Sequence, residues 1–136
     1  MIVFLSCVKS KRNVSCRSEE MYVSDLFKKS LQYARSLNPD HIYILSAKYG
    51  LLELDDVIDP YELTLKTMSE KDRKVWAYKV CKQFESKGGN YNEKAVFLCG
   101  LPYRKYIMTK FHDREIPCEG LGLGDQLQFY KKAITR

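Results

Sequence analysis

Between Ile44 and Glu62 the chain gathers Ser46, Lys48, Tyr49, Asp59, Tyr61 and Glu62 in one segment, punctuated by Gly50 and Pro60. An apolar run feeds directly into this collection of a hydroxyl, an amine, two phenols and two carboxylates. That is the layout of an α/β active site, where ligands meet the ends of strands. The carboxylates are candidates for activating water or stabilising a cation. Asp55 and Asp56 lie where solvation is the default, whereas Asp59 and Glu62 bracket Pro60-Tyr61, whose fixed φ holds them more rigidly. Asp59 and Glu62 are therefore the catalytic candidates, with plain loop capping as the alternative. Lys48 and Tyr49 supply hydrogen-bond donors for a phosphate or a departing base. Tyr61 and Tyr103 offer rings for a planar ligand, although among ten tyrosines packing is the commoner role.

Two further segments carry chemistry. Cys7 follows an apolar run and stands near Lys9, Lys11 and Arg12, a setting that can activate a thiol. A phosphatase-like cysteine loop needs an arginine at one fixed spacing, and Arg12 comes one residue too early and Arg17 far too late. Cys7 therefore reads more simply as a small residue at a strand end. Gly120-Leu121-Gly122-Leu123-Gly124-Asp125-Gln126 resembles a glycine-rich phosphate cradle opening onto a helix. It lies near the end of the chain, so it is no dinucleotide fingerprint, and a glycine turn that lets a helix pack closely is the alternative. His41 and His112 have no partner at metal-ligand spacing, so neither a metal nor a cofactor is indicated.

These segments need elements to position them. Met1 to Ser6 is a continuous apolar run, as a buried central parallel strand requires. Tyr22 to Leu37 repeats apolar residues at helical spacing until Asn38-Pro39. His41 to Leu45 forms a second strand, followed by a long loop from Ser46 to Glu62. Ser69 caps a helix to about Ser86, with Val75, Trp76, Tyr78, Val80, Cys81 and Phe84 expected on its buried side and Lys87-Gly88-Gly89-Asn90 as its stop. Ala95 to Cys99 is a third strand, then a short helix runs to about Lys110. Arg114 to Pro117 makes a fourth strand and Gly124 to Ile134 a closing helix. The alternation predicts a three-layer α/β sandwich, its central, mainly parallel sheet of about four strands flanked by helices. The loops after the four strands must then meet at one rim, forming a basic hollow with an acid at its floor.

Length and charge bound the rest. The 136 residues fit one domain, 1–136, with one core. Five scattered cysteines without a CxxC pair argue against a disulfide framework and for a reducing cytoplasm. The longest apolar run, Met1 to Val8, is too short for a membrane span, so a soluble, unprocessed cytoplasmic protein without membrane contact is expected. Net charge is +6, with Lys9, Lys11, Arg12 and Arg17 in the first loop and Lys131, Lys132 and Arg136 at the end. A nucleic acid or a nucleotide is a partner of matching charge, and a partner protein that completes the site is a further option.

The segment Ile44 to Leu52, ILSAKYGLL, with Ile58-Asp59-Pro60-Tyr61 resembles the ILS-x-x-YGLL and I-x-PY signature of the YaaA peroxide-stress family. Ser6-Cys7-x-Lys9-x-Lys11 and the glycine segment through Gln128 resemble a compact bacterial and phage branch of that superfamily, itself similar to DNA-glycosylase-like and deazaguanine-modification proteins. The resemblance implies a uracil-DNA-glycosylase-like fold and a nucleic-acid or nucleobase substrate, DNA before RNA. It implies a site of Ser46, Lys48, Tyr49, Asp59, Pro60 and Tyr61, with Ser6, Lys9, Lys11, Tyr103, Gly122, Gly124 and Gln126. YaaA proteins are longer, and this chain has no room for their additional DNA-binding segments. The leading expectation is an N-glycosylase-like hydrolase removing a modified or damaged base, with Asp59 or Glu62 beneath the sugar and Lys48 or Gln126 at the departing base. A non-catalytic DNA-binding stress protein and an enzyme of free nucleosides or nucleotides are the rivals.

Overall fold

The computed structural model describes residues 1–135; Arg136, counted above among the C-terminal cations, lies outside them. Strand β1 (Ile2–Ser6) is buried along its apolar length and pairs in parallel with β3 (His41–Ser46) on one side and β6 (Ala95–Leu98) on the other. Its residues are apolar on both faces because both faces are covered by helices. β7 (Arg114–Glu115) continues the parallel sheet beyond β6. On the opposite edge β4 (Gly50–Glu53) turns back antiparallel to β3, giving the order β4-β3-β1-β6-β7. The sheet is thus mostly parallel.

Helix α2 (Asp25–Ser36) starts where Ser24 accepts a hydrogen bond from the Phe27 amide and ends before Asn38, whose φ of 51° breaks the helical path. Helix α3 (Glu70–Ser86) is capped by Ser69, which accepts from the Asp72 amide. The β1-to-β3 and β3-to-β6 connections run in opposite directions across the sheet, so right-handed crossovers put α2 and α3 on opposite faces. On the α3 face, Phe84 meets Phe4, Tyr43 and Phe111. On the other, α5 (Leu123–Ile134) packs along α2 through Tyr33, Phe129 and Tyr130. No helix among the described residues is long and apolar enough to cross a membrane.

Three features depart from the sequence reading. The expected loop from Ser46 to Glu62 contains β4 and also β5 (Val57–Ile58), which pairs antiparallel with β2 (Cys16–Arg17). β4 forms because Leu51 and Leu52 bury themselves while Gln83 of α3 accepts from the Leu51 amide at 2.8 Å and donates to the Tyr49 carbonyl at 3.1 Å. Gly50 must be glycine there, with φ of 78° and a would-be Cβ only 2.2 Å from the Gln83 carboxamide oxygen. Tyr22 precedes α2 rather than opening it; a short helix α1 (Ser18–Met21) delivers its ring to the interior. Val75 and Tyr78, expected on the buried side of α3, stand 64% and 65% exposed, because Trp76, Ala77, Val80, Cys81 and Phe84 alone complete the buried arc.

Candidate functional site

Since β1, β3, β6 and β7 are all parallel, the loops leaving their carboxyl ends open on a single edge. The first-loop residues lie as follows. Ser6 closes β1 partly buried, Lys9 is exposed, and Cys7 is buried. Cys7 Sγ donates to the Tyr103 hydroxyl at 3.3 Å. The Lys11 ammonium stands 4.7 Å above the centroid of the Tyr61 ring, an arrangement that attracts a cation to the ring face.

The floor of this edge is built of neutral hydroxyls. Ser46 Oγ donates to the Tyr61 oxygen at 2.8 Å, Tyr61 and Tyr22 share a hydrogen bond of 2.7 Å, and the Tyr49 amide donates to Ser46 Oγ at 3.1 Å. Trp76 fixes the same turn by donating from its indole nitrogen to the Ser46 carbonyl at 2.9 Å, and it meets the Tyr103 ring edge-on. Burial drives the Tyr61, Tyr22 and Tyr103 phenols well above their ordinary range, and the nearby Cys7 thiol adds to this. They are therefore hydrogen-bonding phenols, not bases, at neutral pH.

The acids lie elsewhere than expected. Asp59 and Glu62 are both exposed, so the floor holds phenols and the carboxylates form the rim. An ionised carboxylate in that buried floor would lose its hydration. Asp59 is nevertheless held. The Tyr49 hydroxyl donates to its carbonyl at 3.3 Å and accepts from its amide at 3.1 Å, and the Ser15 hydroxyl donates to its carboxylate. Lys48 is exposed, with its ammonium 5.2 Å from the Tyr49 ring, and the Tyr49 ring meets Tyr61 edge-on at 5.7 Å. Two lysines thus stand over a pair of rings beside an anchored carboxylate.

The loops after β6 and β7 line a cavity of about 290 Å³ with Cys99, Gly100, Arg104, Gly120 and Gln126 among others, and none of Lys48, Asp59, Tyr61 or Tyr103 is in its lining. Arg104, which sequence reasoning passed over, ends the short helix α4 (Leu101–Arg104) and donates to the Cys99 carbonyl at 2.7 Å. Its Nε is buried without a partner, and an arginine so close behind a strand-ending Gly-x-Pro was the available signal. Burial pushes the neighbouring Cys99 thiol up to about 12, against the pull of Arg104. Gly122 begins α5 with no side-chain cap, leaving helix N–H groups free for an anion. Gln126 lines the cavity and donates to the Leu121 carbonyl at 2.9 Å. No group of three or more His, Cys, Asp or Glu among the described residues is placed to hold a metal.

Close packing does not explain the glycines, because a Cβ built at Gly122 or Gly124 meets nothing within 4 Å. Gly124→Ala should therefore raise stability, by about 0.5–1 kcal/mol from helix propensity alone, read as a higher Tm. A lower Tm would reveal a packing role after all.

These elements define an α/β protein with a candidate ligand site at the carboxyl edge of a mostly parallel sheet. The chain belongs to a family of unknown function, DUF6884, whose model matches residues 2–132. Among curated proteins none matches the chain.

Proposed function

We propose that this protein is a cytoplasmic N-glycosidic-bond hydrolase with a uracil-DNA-glycosylase-like fold, related to the YaaA superfamily, that removes a modified or damaged base from nucleic acid, DNA before RNA. The observation that carries this reading is the anchored Asp59, gripped on both sides of its backbone by Tyr49 and oriented by Ser15 at a rim of paired rings and lysines. Glycosidic cleavage passes through an oxocarbenium-like state, which a fixed carboxylate stabilises. In this mechanism the C1′–N bond breaks with its electron pair leaving on the base. Lys48 donates to that base, or Lys11 from its place over the Tyr61 ring. Water adds to C1′ and passes a proton to Asp59. Glu62, exposed and without an ion pair among the described residues, takes the supporting acidic role, and the cavity beside Arg104 and Gln126 receives a phosphate.

Oligonucleotides carrying a panel of modified bases, assayed for abasic sites, test the proposal. The parent protein should release one of these bases, and Asp59→Asn should slow that release at least about a hundredfold. Full activity in the variant removes Asp59 from the mechanism, and absence of abasic sites across the panel removes the hydrolase. One observation favours a second reading. The cavity has Arg104 in its lining and no carboxylate there, which suits the phosphate of a free nucleotide. Mass spectrometry of small molecules retained by the purified protein separates the two.

A further inference from the structure

Val75 and Tyr78 are left in solvent on α3 in the middle of a lysine-rich surface. Lys71, Lys74, Tyr78 and Lys82 follow one another at steps of three or four residues, so they form one stripe along the helix. The Lys82 ammonium lies 5.2 Å from the Tyr78 ring. Sideways the stripe continues onto the segment after β6. There the Tyr106 ring has Lys74 at 5.6 Å and Lys105 at 5.2 Å, and Lys110 lies 5.4 Å from the ring of Tyr91, which precedes β6.

Two acids of this surface are already engaged, while Asp72, beside Lys71, is exposed and forms no ion pair among the described residues. Glu70 accepts from the Tyr106 hydroxyl, Lys105 and Arg73, which hold its carboxyl down at about 2. Glu85 takes Tyr91 at 2.8 Å and Lys82 at 3.7 Å. Lys71 and Lys74 remain exposed and form no ion pair among the described residues. The strip also reaches the candidate site, since Lys79 of α3 donates to the Lys48 carbonyl at 3.2 Å.

We infer that this face of α3 is a track for single-stranded nucleic acid, with Lys71, Lys74 and Lys82 on phosphates and Tyr78 stacked against a base. Lys71 to Lys82 spans about 16 Å of helix, room for about five phosphates of a stacked strand at about 3.4 Å each. A duplex hides its base faces, so only an unpaired strand gives an exposed phenol ring something to stack on. The inference rests on the nucleic-acid part of the function proposed above and not on Asp59.

Fluorescence anisotropy of a labelled oligothymidylate, titrated with the full-length protein at several salt concentrations, tests it. The triple variant Lys71→Glu/Lys74→Glu/Lys82→Glu should lose at least about a hundredfold in affinity at low salt and show a flatter salt dependence. Tyr78→Ala should lose about tenfold, at every salt concentration. All four positions are exposed, so circular dichroism of the variants should be unchanged. Lys28→Glu on α2, across the sheet, should bind like the parent. Abasic-site release by the parent protein, assayed separately, keeps a failure of the hydrolase distinct from a failure of the track. Parent-like affinity in the triple variant or in Tyr78→Ala overturns the inference. So does polyglutamate binding as tightly as the oligonucleotide, the result an acidic-protein surface would give.

Discussion

Raising the pH above 10 should unfold this protein in one steep step. Tyr22, Tyr61, Tyr103 and Tyr130 are buried to 9% exposure or less, and burial is the largest cause holding each phenol above its ordinary value of 10.0. In the unfolded chain the same phenols ionise near that ordinary value. Above it the unfolded state binds fewer protons than the folded one, so stability falls as pH rises. Their contribution is complete below about pH 10 and is lost on the way up to the raised folded values. Each such group changes stability by about 1.4 kcal/mol per pH unit, so four acting together change it by about 5.5 kcal/mol per unit. Tyrosinate absorption and far-ultraviolet circular dichroism recorded on the same titration check this. At least four of the ten tyrosines should stay protonated until the helical signal collapses, then ionise with it. Ordinary titration of all ten with the helices intact would show that the hydroxyl floor is open to water.

Phe4→Ala should be the most damaging single substitution in the sheet. Phe4 is 1% exposed in the central strand. It stacks on Phe97 at 5.0 Å and Tyr43 at 5.9 Å, and meets Phe84 and Phe111 edge-on. The ring therefore ties both neighbouring strands to α3, and neighbours fixed by their own pairing cannot collapse into the space it leaves. A loss of about 3–5 kcal/mol is expected, a large share of the roughly 5–15 kcal/mol that holds a domain together. Denaturant unfolding should show the midpoint fall at constant slope. Phe4→Leu, which keeps much of the volume, should cost less than half as much. A loss under about 1.5 kcal/mol for the alanine variant would mean that the site can repack around the hole.

The consequence reaches the candidate site, because β1 delivers Ser6 and Cys7 to the edge where Tyr103 and Tyr61 gather. Loosening its centre should also loosen that edge, so Phe4→Ala should weaken ligand binding beyond what its unfolded fraction explains.

Much of this architecture is local enough to read from residue order. The apolar runs of β1, β3 and β6 carry their own signal, and Ser69 and Asn38-Pro39 mark helix ends through bonds and dihedral limits within a few residues. Strand-helix alternation then dictates parallel pairing with helices on both faces, and with it the single edge on which the loops open. Long-range packing decided the rest. β4 looks like loop because Gly50 to Glu53 is short, and only the Gln83 carboxamide, 32 residues away from Leu51, turns it into an edge strand. Tyr22 and Tyr61, 39 residues apart, share a hydrogen bond that no spacing rule foretells, and their burial is what moved the acids from floor to rim. Periodicity likewise treats Val75 and Tyr78 as core residues, since it registers apolar character but not how wide a helix face the sheet has room to cover. Side-chain chemistry is written in the sequence, whereas which groups meet depends on register and packing between distant segments, and those exist only once the chain has folded.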